Sequence, residues 1–402
     1  MYMSFLYFWH KKEVKQIPGN ILYLYLIKIS KWFNLVMPVV VLFYQENGMN
    51  MQQIFMLKSV YSLGIVVMEI PSGYLADVWG RKKTLLMGAV LGATGFALYS
   101  FSYGFWAFAV AELVLGIGYS FVSGADAAML YDTLKSSKRE GKYIKQEGRI
   151  TSAGNFAEAF AGICGGLLAT ISLRMPFYFQ FAVASIAIPA AFLLKEPNMH
   201  AKELAIGFKA IFQTVRQTFL HVELRSALLV SSFTGTASLT FAWFAQPYFQ
   251  KAGLPVSLFG LMWTLLNLSA GISAFWSYKV ERRLGQKNSL LFIIAGLSFG
   301  YFFAAWEISL AGIAILFFFY VMRGISHPIL KDYINRHTGS EVRATILSLR
   351  DFVIRINFAV IGPVLGYFTD HFSLGLAMLI AGGSYLLIAF VAAWPLLRTE
   401  VK

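Results

Sequence analysis

Two carboxylates stand inside long apolar segments of this 402-residue chain. Glu112 lies in FAVAELVLGIGYSFV and Glu158 in SAGNFAEAFAGICGG. An ionisable residue in a membrane-like environment is costly, so it is a functional candidate by default. Because burial disfavours the charged form of a carboxyl group, such a side chain can load and release a proton near neutral pH. Glu112 and Glu158 are therefore candidates for proton coupling, and a neutral or paired structural carboxyl is the alternative for each.

Cations also fall at depth in apolar segments. Counting ~1.5 Å per residue from the start of each apolar run places Lys31, Glu158 and Arg355 roughly 16 Å deep, with Arg323 nearer one side. Unpaired charges at that depth should face water or each other. We therefore predict that Lys31, Arg323 and Arg355 line a substrate cavity, with Trp243 as an aromatic wall. Simple pairing, for example of Lys31 with Glu158, is the alternative, and Trp243 could equally face lipid or pack in the interior.

Composition places these residues in a membrane protein. The chain is 57% hydrophobic and 13% charged, and its mean hydropathy is +0.62, whereas soluble domains carry about 25% charge. Its net charge of +14 does not predict a nucleic-acid partner, because the cations form short clusters between apolar runs. The chain has no P-loop pattern and no His/Cys cluster with metal-ligand spacing. We predict no enzyme activity, no cofactor and no metal.

Apolar runs between polar breaks predict an all-α membrane protein with twelve transmembrane helices. Their centres lie near Phe33, Gly64, Gly92, Gly118, Ala159, Ser185, Thr236, Leu268, Gly296, Phe319, Ala359 and Gly383. Basic clusters such as KKEVK at 11–15, RKK at 81–83 and KSSKREGKYIK at 135–145 alternate with turns that hold few cations. Since loops rich in Lys and Arg stay inside, we predict cytoplasmic N and C termini in a multi-pass protein of the cell (inner or plasma) membrane.

The polar segment 195–224 divides the helices six and six. Gly48 and Gly253 are 205 residues apart, as are Gly80 and Gly285. Such an offset indicates a duplicated unit, as in many secondary transporters. We therefore predict two pseudo-symmetric six-helix bundles, 1–194 and 225–402, joined by a cytoplasmic linker over 195–224. The linker contains an amphipathic helix that lies on the inner leaflet or packs under the bundle.

The segment GYLADVWGRK, Gly73 to Lys82, resembles the G-x-L-x-D-x-x-G-R-K loop between helices two and three of the major facilitator superfamily. Glycine permits positive φ in a short connection, and Asp77 can pair with Arg81 and accept hydrogen bonds from helix N-terminal amides. The resemblance implies a conformational latch, with cations that only enforce topology as the alternative. The latch residues are Gly73, Asp77, Gly80, Arg81 and Lys82, to which Asp132 could be added.

The fourth and fifth helices resemble family patterns with departures. Glu112 occupies the position of an arginine, and the fifth helix resembles that of proton-driven exporters, with Gly148 and Gly165 in frame and Gly162 in place of a proline. The resemblance implies a monomeric secondary transporter in membrane lipid that exports amphipathic drugs or metabolites by alternating access in exchange for protons. The alternatives are a transporter of organic anions or siderophores and a non-transporting receptor or scaffold.

Overall fold

The computed structural model describes residues 17–197, 208–339 and 342–398. Every regular element in these ranges is helical. The predicted basic cluster at 11–15 and part of the predicted linker lie outside them. The α-helices are α1 Ile17–Trp32, α2 Val40–Glu46, α3 Met51–Val78, α4 Arg81–Phe101, α5 Phe105–Val122, α6 Ala125–Ser136, α7 Tyr143–Ala169, α8 Met175–Ser185, α9 Ala187–Leu193, α10 Phe208–Leu220, α11 Val222–Lys251, α12 Phe259–Trp306, α13 Ile313–Arg336, α14 Arg343–His371 and α15 Leu374–Arg398. Two short 3-10 helices lie at Glu140–Lys142 and Val256–Leu258.

Nine helical segments in the described ranges are long and apolar enough to cross a membrane. One of them, Val256–Trp306, covers two predicted spans. Gly285, with φ 71° and ψ 174°, is a kink that separates the two helical parts of α12. A positive φ suits glycine, which has no Cβ to clash with the backbone. The first predicted span is broken into α1 and α2, and α7 begins with a charged stretch. The total of twelve spans therefore stays a prediction.

The chain forms two compact units. Among the described residues, unit 1 contains 17–37 and 63–197, and unit 2 contains 38–62, 208–339 and 342–398. The boundaries thus fall just after α1 and within α3. Residues 38–62 belong to the predicted first bundle by sequence, yet they pack with the helices of the predicted second bundle.

Unit 1 is held together by small and apolar side chains. Leu85 of α4, Met129 and Leu130 of α6 and Ala191 of α9 are at most 1% exposed in one cluster. Burial of each large aliphatic side chain from water would contribute about 1.5–3 kcal/mol, but within lipid the benefit comes mainly from close packing. Gly165 of α7 illustrates such packing, because a Cβ there would collide with the Leu35 carbonyl.

The first predicted span is unwound over residues 33–39. Pro38 lies in this stretch, and proline has no N–H and disfavours a helical residue before it. Two buried glutamine side chains accept hydrogen bonds from backbone N–H groups, one within the break and one just after it. Gln180 Oε1 accepts from Leu35 N at 2.8 Å in unit 1, and Gln246 Oε1 accepts from Val41 N at 2.9 Å in unit 2. Irregular backbone is tolerated at membrane depth only when its polar groups are satisfied in this way.

Unit 2 is built around α11, which shares extensive packing with α14 and α15. Phe241 of α11 stacks on Phe319 of α13 with ring centroids 3.6 Å apart. Helix α10 packs against α11 and α14, with Thr218 buried and Leu220 69% exposed. A helix is thus present within the predicted linker segment and contacts other helices of unit 2; the linker itself and its place relative to the membrane stay predictions.

Candidate functional site

In unit 1, the deep lysines of α1 have different surroundings. Lys31 Nζ lies 4.0 Å from the ring centroid of Tyr119 on α5. Lys28, one turn earlier, forms an ion pair with Asp126 at 3.0 Å and lies 4.0 Å from Glu147. A ring face stabilises a cation without bringing an opposite charge to it, whereas Asp126 and Glu147 balance the positive charge of Lys28. Lys31 therefore remains the stronger candidate for contact with a substrate.

Both candidate proton carriers lie in unit 1. Glu112 on α5 is only 2% exposed, and Glu158 on α7 is partly exposed. The two carboxylates thus differ in exposure, and their role as proton carriers stays a prediction.

In unit 2, Trp243 has a neighbour that was not predicted from the sequence. Lys58 Nζ lies 4.8 Å from the Trp243 ring centroid and 5.1 Å from that of Tyr44. Lys58 and Trp243 are each 9% exposed. Lys58 is the only cation in the run QQIFMLKSVYSLGIVVMEI, so the depth argument that selected Lys31 would have selected it too.

The remaining deep cations of unit 2 lie on α13 and α14. Arg323 stands 5.2 Å from the Tyr320 ring centroid. Arg350 is 7% exposed, and its guanidinium donates to Ser231 Oγ at 2.6 Å and to Asp351 Oδ1 at 2.8 Å. Arg355 lies on the same helix, partly buried. Arg350 is thus held in an ion pair with Asp351, whereas Arg323 lies near an aromatic ring.

The structure shows some of the contacts predicted for the latch, but not all of them. Arg81 contacts Asp132 in an ion pair, as predicted from the sequence. Asp77, however, is exposed, and Glu196 accepts from the backbone N–H groups of Arg81 and Lys82, at 2.8 Å each. Glu196 thus takes the helix-capping position predicted for Asp77. It follows α9, and no local pattern in the sequence indicates that it returns to the start of α4.

The two latch glycines differ. Gly80 precedes α4 with φ 94°, which confirms the predicted positive φ. Gly73 lies inside α3 and is exposed, and a Cβ at this position would have no neighbour within 4 Å. The tight connection predicted at Gly73 is therefore wrong, because the helix continues to Val78 before the chain turns.

A second helix cap lies in unit 2. The two carboxylate oxygens of Asp370, at the end of α14, accept from Met51 N at 2.9 Å and Gln52 N at 2.7 Å, at the start of α3. A carboxylate favours the positive end of a helix dipole. One turn before Asp370, Gly366 packs so closely on Gln52 that a Cβ would lie 2.6 Å from its Cα. We call this contact between α3 and α14 the Asp370 seam.

Unit 2 also has a largely apolar, partly open cavity of about 260 Å³ among α11, α12, α14 and α15, lined by residues such as Thr236, Tyr301 and Tyr385. Its polar groups are already bonded, since Tyr301 OH donates to Ala237 O at 2.6 Å and Tyr385 OH lies 3.2 Å from Thr234 Oγ1. The lining does not include the predicted cavity residues. The cavity lining contains no charged residue, so the cavity suits an apolar group.

The chain has apolar helices of membrane-spanning length and charged groups within them. It also has an unwound helix whose backbone N–H groups are hydrogen-bonded by side chains. These features are typical of a multi-pass membrane protein of the transporter class. Residues 31–359 match the family pattern of the Major Facilitator Superfamily. The chain belongs to this superfamily, and it is a transporter rather than an enzyme.

Curated relatives and solved structures agree with this assignment. The chain is 21% identical to the uncharacterized MFS-type transporter YxaM of Bacillus subtilis over 88% of its length and 90% of the relative. It is also 21% identical to the class H tetracycline resistance protein of Pasteurella multocida, over 86% of this chain and 87% of that one. The crystal structure of the nucleoside transporter NupG has the same fold, with a TM-score of 0.75 at 15% identity, over 96% of this chain and 100% of that chain.

Proposed function

We propose that this transporter exports amphipathic drugs or metabolites by alternating access, driven by proton entry. The observation that carries the proposal is Glu112, a carboxyl 2% exposed inside an apolar helix. A group in that position can bind a proton from one side and release it to the other when its surroundings change. The relationship to a tetracycline resistance protein supports amphipathic compounds as substrates.

The topology predicted from the sequence is part of this proposal. It comprises twelve spans in two six-helix bundles, a linker over 195–224, both termini in the cytoplasm of a cell-membrane protein, and a monomer. Arg81 and Asp132, which form an ion pair in unit 1, are proposed to bias the conformational equilibrium from the cytoplasmic side. The substrate would contact Lys31, Arg323, Arg355 and Trp243.

The test is proton movement caused by substrate. Purified protein in liposomes with a pH-sensitive dye inside should show a change in internal pH when a transported compound is added. Glu112→Gln keeps the shape of the side chain but cannot exchange a proton, so it should abolish the pH change while binding persists; Glu158→Gln tests the second candidate. Unchanged proton movement in both variants would exclude this coupling scheme.

A transporter of organic anions, siderophores included, is the second candidate function. The specific observation in its favour is that three deep cations, Lys31, Lys58 and Arg323, lie against aromatic faces, at 4.0, 4.8 and 5.2 Å from the ring centroids. A ring face stabilises a cation without bringing an opposite charge to it, so Lys31 and Arg323 could attract an anionic substrate. Charge-removing changes at Lys31 and Arg355 should abolish binding of an anionic substrate in the folded protein, and unaltered affinity would count against this candidate.

A further inference from the structure

The cavity of unit 2 is lined mainly by apolar side chains, and none of the lining residues is charged. Its buried hydroxyl groups already have partners within the unit. Tyr301 OH donates to the Ala237 carbonyl at 2.6 Å, and Thr236 Oγ1 donates to the Ser232 carbonyl at 3.0 Å. A buried water usually makes two to four hydrogen bonds to polar groups that lack other partners. The lining therefore favours hydrocarbon over water as the occupant.

The cavity opens on the side of α14 that faces away from α3. Val360 and Val364, one turn apart on α14, line the cavity and are 66% and 52% exposed. Gly362 lies about 200° round the helix from Val360. It packs on α3, since a Cβ at Gly362 would lie 2.9 Å from the Phe55 ring. The opening is therefore on the outer surface of unit 2, where apolar side chains of a membrane-spanning helix meet the hydrocarbon of the bilayer.

The two sides of the opening lie at a similar depth. Val360 precedes His371, the last residue of α14, by eleven positions, and Ser384 follows Leu374, the first residue of α15, by ten. These separations correspond to about 16 and 15 Å of helix, measured from the polar turn at 370–373. Because the hydrocarbon core is about 30 Å thick, the opening is near the middle of the bilayer. Acyl chains reach this depth, whereas lipid head groups do not.

The size of the cavity also fits a hydrocarbon chain. Its volume is about 260 Å³, which exceeds the ~150 Å³ of an apolar cavity that binds benzene. Protein interiors contain few voids larger than a water molecule, because the atoms around an empty void lose their dispersion contacts. An apolar cavity that opens into hydrocarbon recovers these contacts when a chain enters it.

We propose that this cavity is a binding site for an acyl chain of a bilayer phospholipid, which enters between α14 and α15. The end of the chain packs against Tyr301 and Leu365 and completes the packing of the four helices around the cavity. None of the predicted substrate residues lines the cavity. The site is thus separate from the proposed transport of drugs or metabolites and does not rest on it.

Photolabelling from the lipid locates the chain. The full-length protein would be placed in nanodiscs of phosphatidylcholine, a fraction of which carries a diazirine near the end of one acyl chain. After irradiation, tandem mass spectrometry identifies the labelled residues. Leu365 and Tyr385, which line the cavity and are buried, should be labelled. Leu387 and Val391, which are exposed on α15, report ordinary contact with the surrounding lipid.

Two tryptophan variants make the result specific. Ala381→Trp places a large ring in the cavity and should remove the labelling of Leu365, while that of Val391 persists. Leu387→Trp adds the same side chain at an exposed position of α15 and should leave the labelling of Leu365 unchanged. If Ala381→Trp does not give a folded protein by thermal unfolding, Ser384→Phe, at the opening, replaces it with the same expected loss.

Labelling confined to the exposed residues, or labelling of the lining that persists in the filled variant, would overturn the proposal. Tetraphenylphosphonium, an apolar probe that is not a lipid, should leave the labelling of the lining unchanged. Loss of that labelling would overturn the proposal too, because the cavity would then hold the apolar part of a substrate. The measurement uses no proton gradient, so its failure leaves proton-coupled export intact. Failure of the proton-movement test would equally leave the acyl-chain site in place.

Discussion

Replacing Asp370 with asparagine is expected to loosen the Asp370 seam of unit 2. In the wild type the two carboxylate oxygens accept from Met51 N and Gln52 N at 2.9 and 2.7 Å. Asparagine has nearly the same shape, but it offers one acceptor oxygen and no negative charge. One N–H at the start of α3 would lose its partner, and the favourable interaction with the helix dipole would disappear.

The cost follows from these two losses. Removing a side-chain cap costs about 0.5–2 kcal/mol, and a charge at an exposed helix N-terminus contributes about 0.3–1 kcal/mol. Asparagine is itself a good cap and Asp370 is exposed, so we expect a total of about 1 kcal/mol, with about 2 kcal/mol as the upper limit. Since 1.4 kcal/mol corresponds to a factor of ten, the open fraction of the seam should rise about 5-fold, and by at most about 30-fold.

Thiol labelling measures this opening. Ser59 is 6% exposed and donates across the seam to the Ala359 carbonyl at 3.1 Å. Ser59→Cys, introduced after Cys164→Ser has removed the single native cysteine, should react with a small methanethiosulfonate reagent only when the seam opens. Asp370→Asn should then raise the labelling rate by the factor given above.

Asp332→Asn is the matched control. Asp332 is an exposed carboxylate of unit 2 that pairs with Arg336 at 2.7 Å, away from the seam residues. Its replacement should leave the labelling rate of Ser59→Cys unchanged. If Asp370→Asn also leaves the rate unchanged, or if both variants raise it equally, the carboxylate does not hold the seam closed and the reasoning is refuted.

Two substitutions test how the broken first helix is held. Gly165→Ala places a methyl group against the Leu35 carbonyl. This overpacking should cost about 1–3 kcal/mol of stability, measured as a lower melting temperature in detergent. Gly148→Ala is the control and should be neutral, because nothing lies within 4 Å of the new atom. Gln246→Leu leaves Val41 N without its 2.9 Å acceptor and should also cost about 1–3 kcal/mol of stability. An unchanged melting temperature in Gly165→Ala would contradict the close packing of Gly165 on Leu35, and in Gln246→Leu it would contradict a stabilising role for the Gln246 hydrogen bond.

Much of the helical framework follows from apolar periodicity and length. Runs of about 20 apolar residues predict helices because the membrane leaves few other ways to satisfy the backbone. The break at 33–39 could not be placed this way, because most of its residues are as apolar as those of a helix and only Asn34 and Pro38 mark the site. The acceptors that stabilise it, Gln180 and Gln246, lie far away in the sequence.

The candidate site shows the same limit. The ion pair of Arg81 with Asp132 was predictable because both residues belong to a recognisable loop and a helix end. The capping role of Glu196 depends on a contact across 115 residues, and no local pattern signals it. Lys58 is different, since its depth in an apolar run was visible in the sequence, and only its aromatic neighbours required the structure.

Transport against an imposed pH gradient tests proton-coupled export most directly. Liposomes containing the purified protein and an acidic lumen would be given labelled tetracycline, a quinolone and other amphipathic probes, with protein-free liposomes as the control for passive accumulation. At least one probe should accumulate faster with protein than without, and the difference should vanish when an ionophore collapses the gradient. Accumulation that is the same with and without protein, or that persists after the gradient is removed, would contradict proton-driven export.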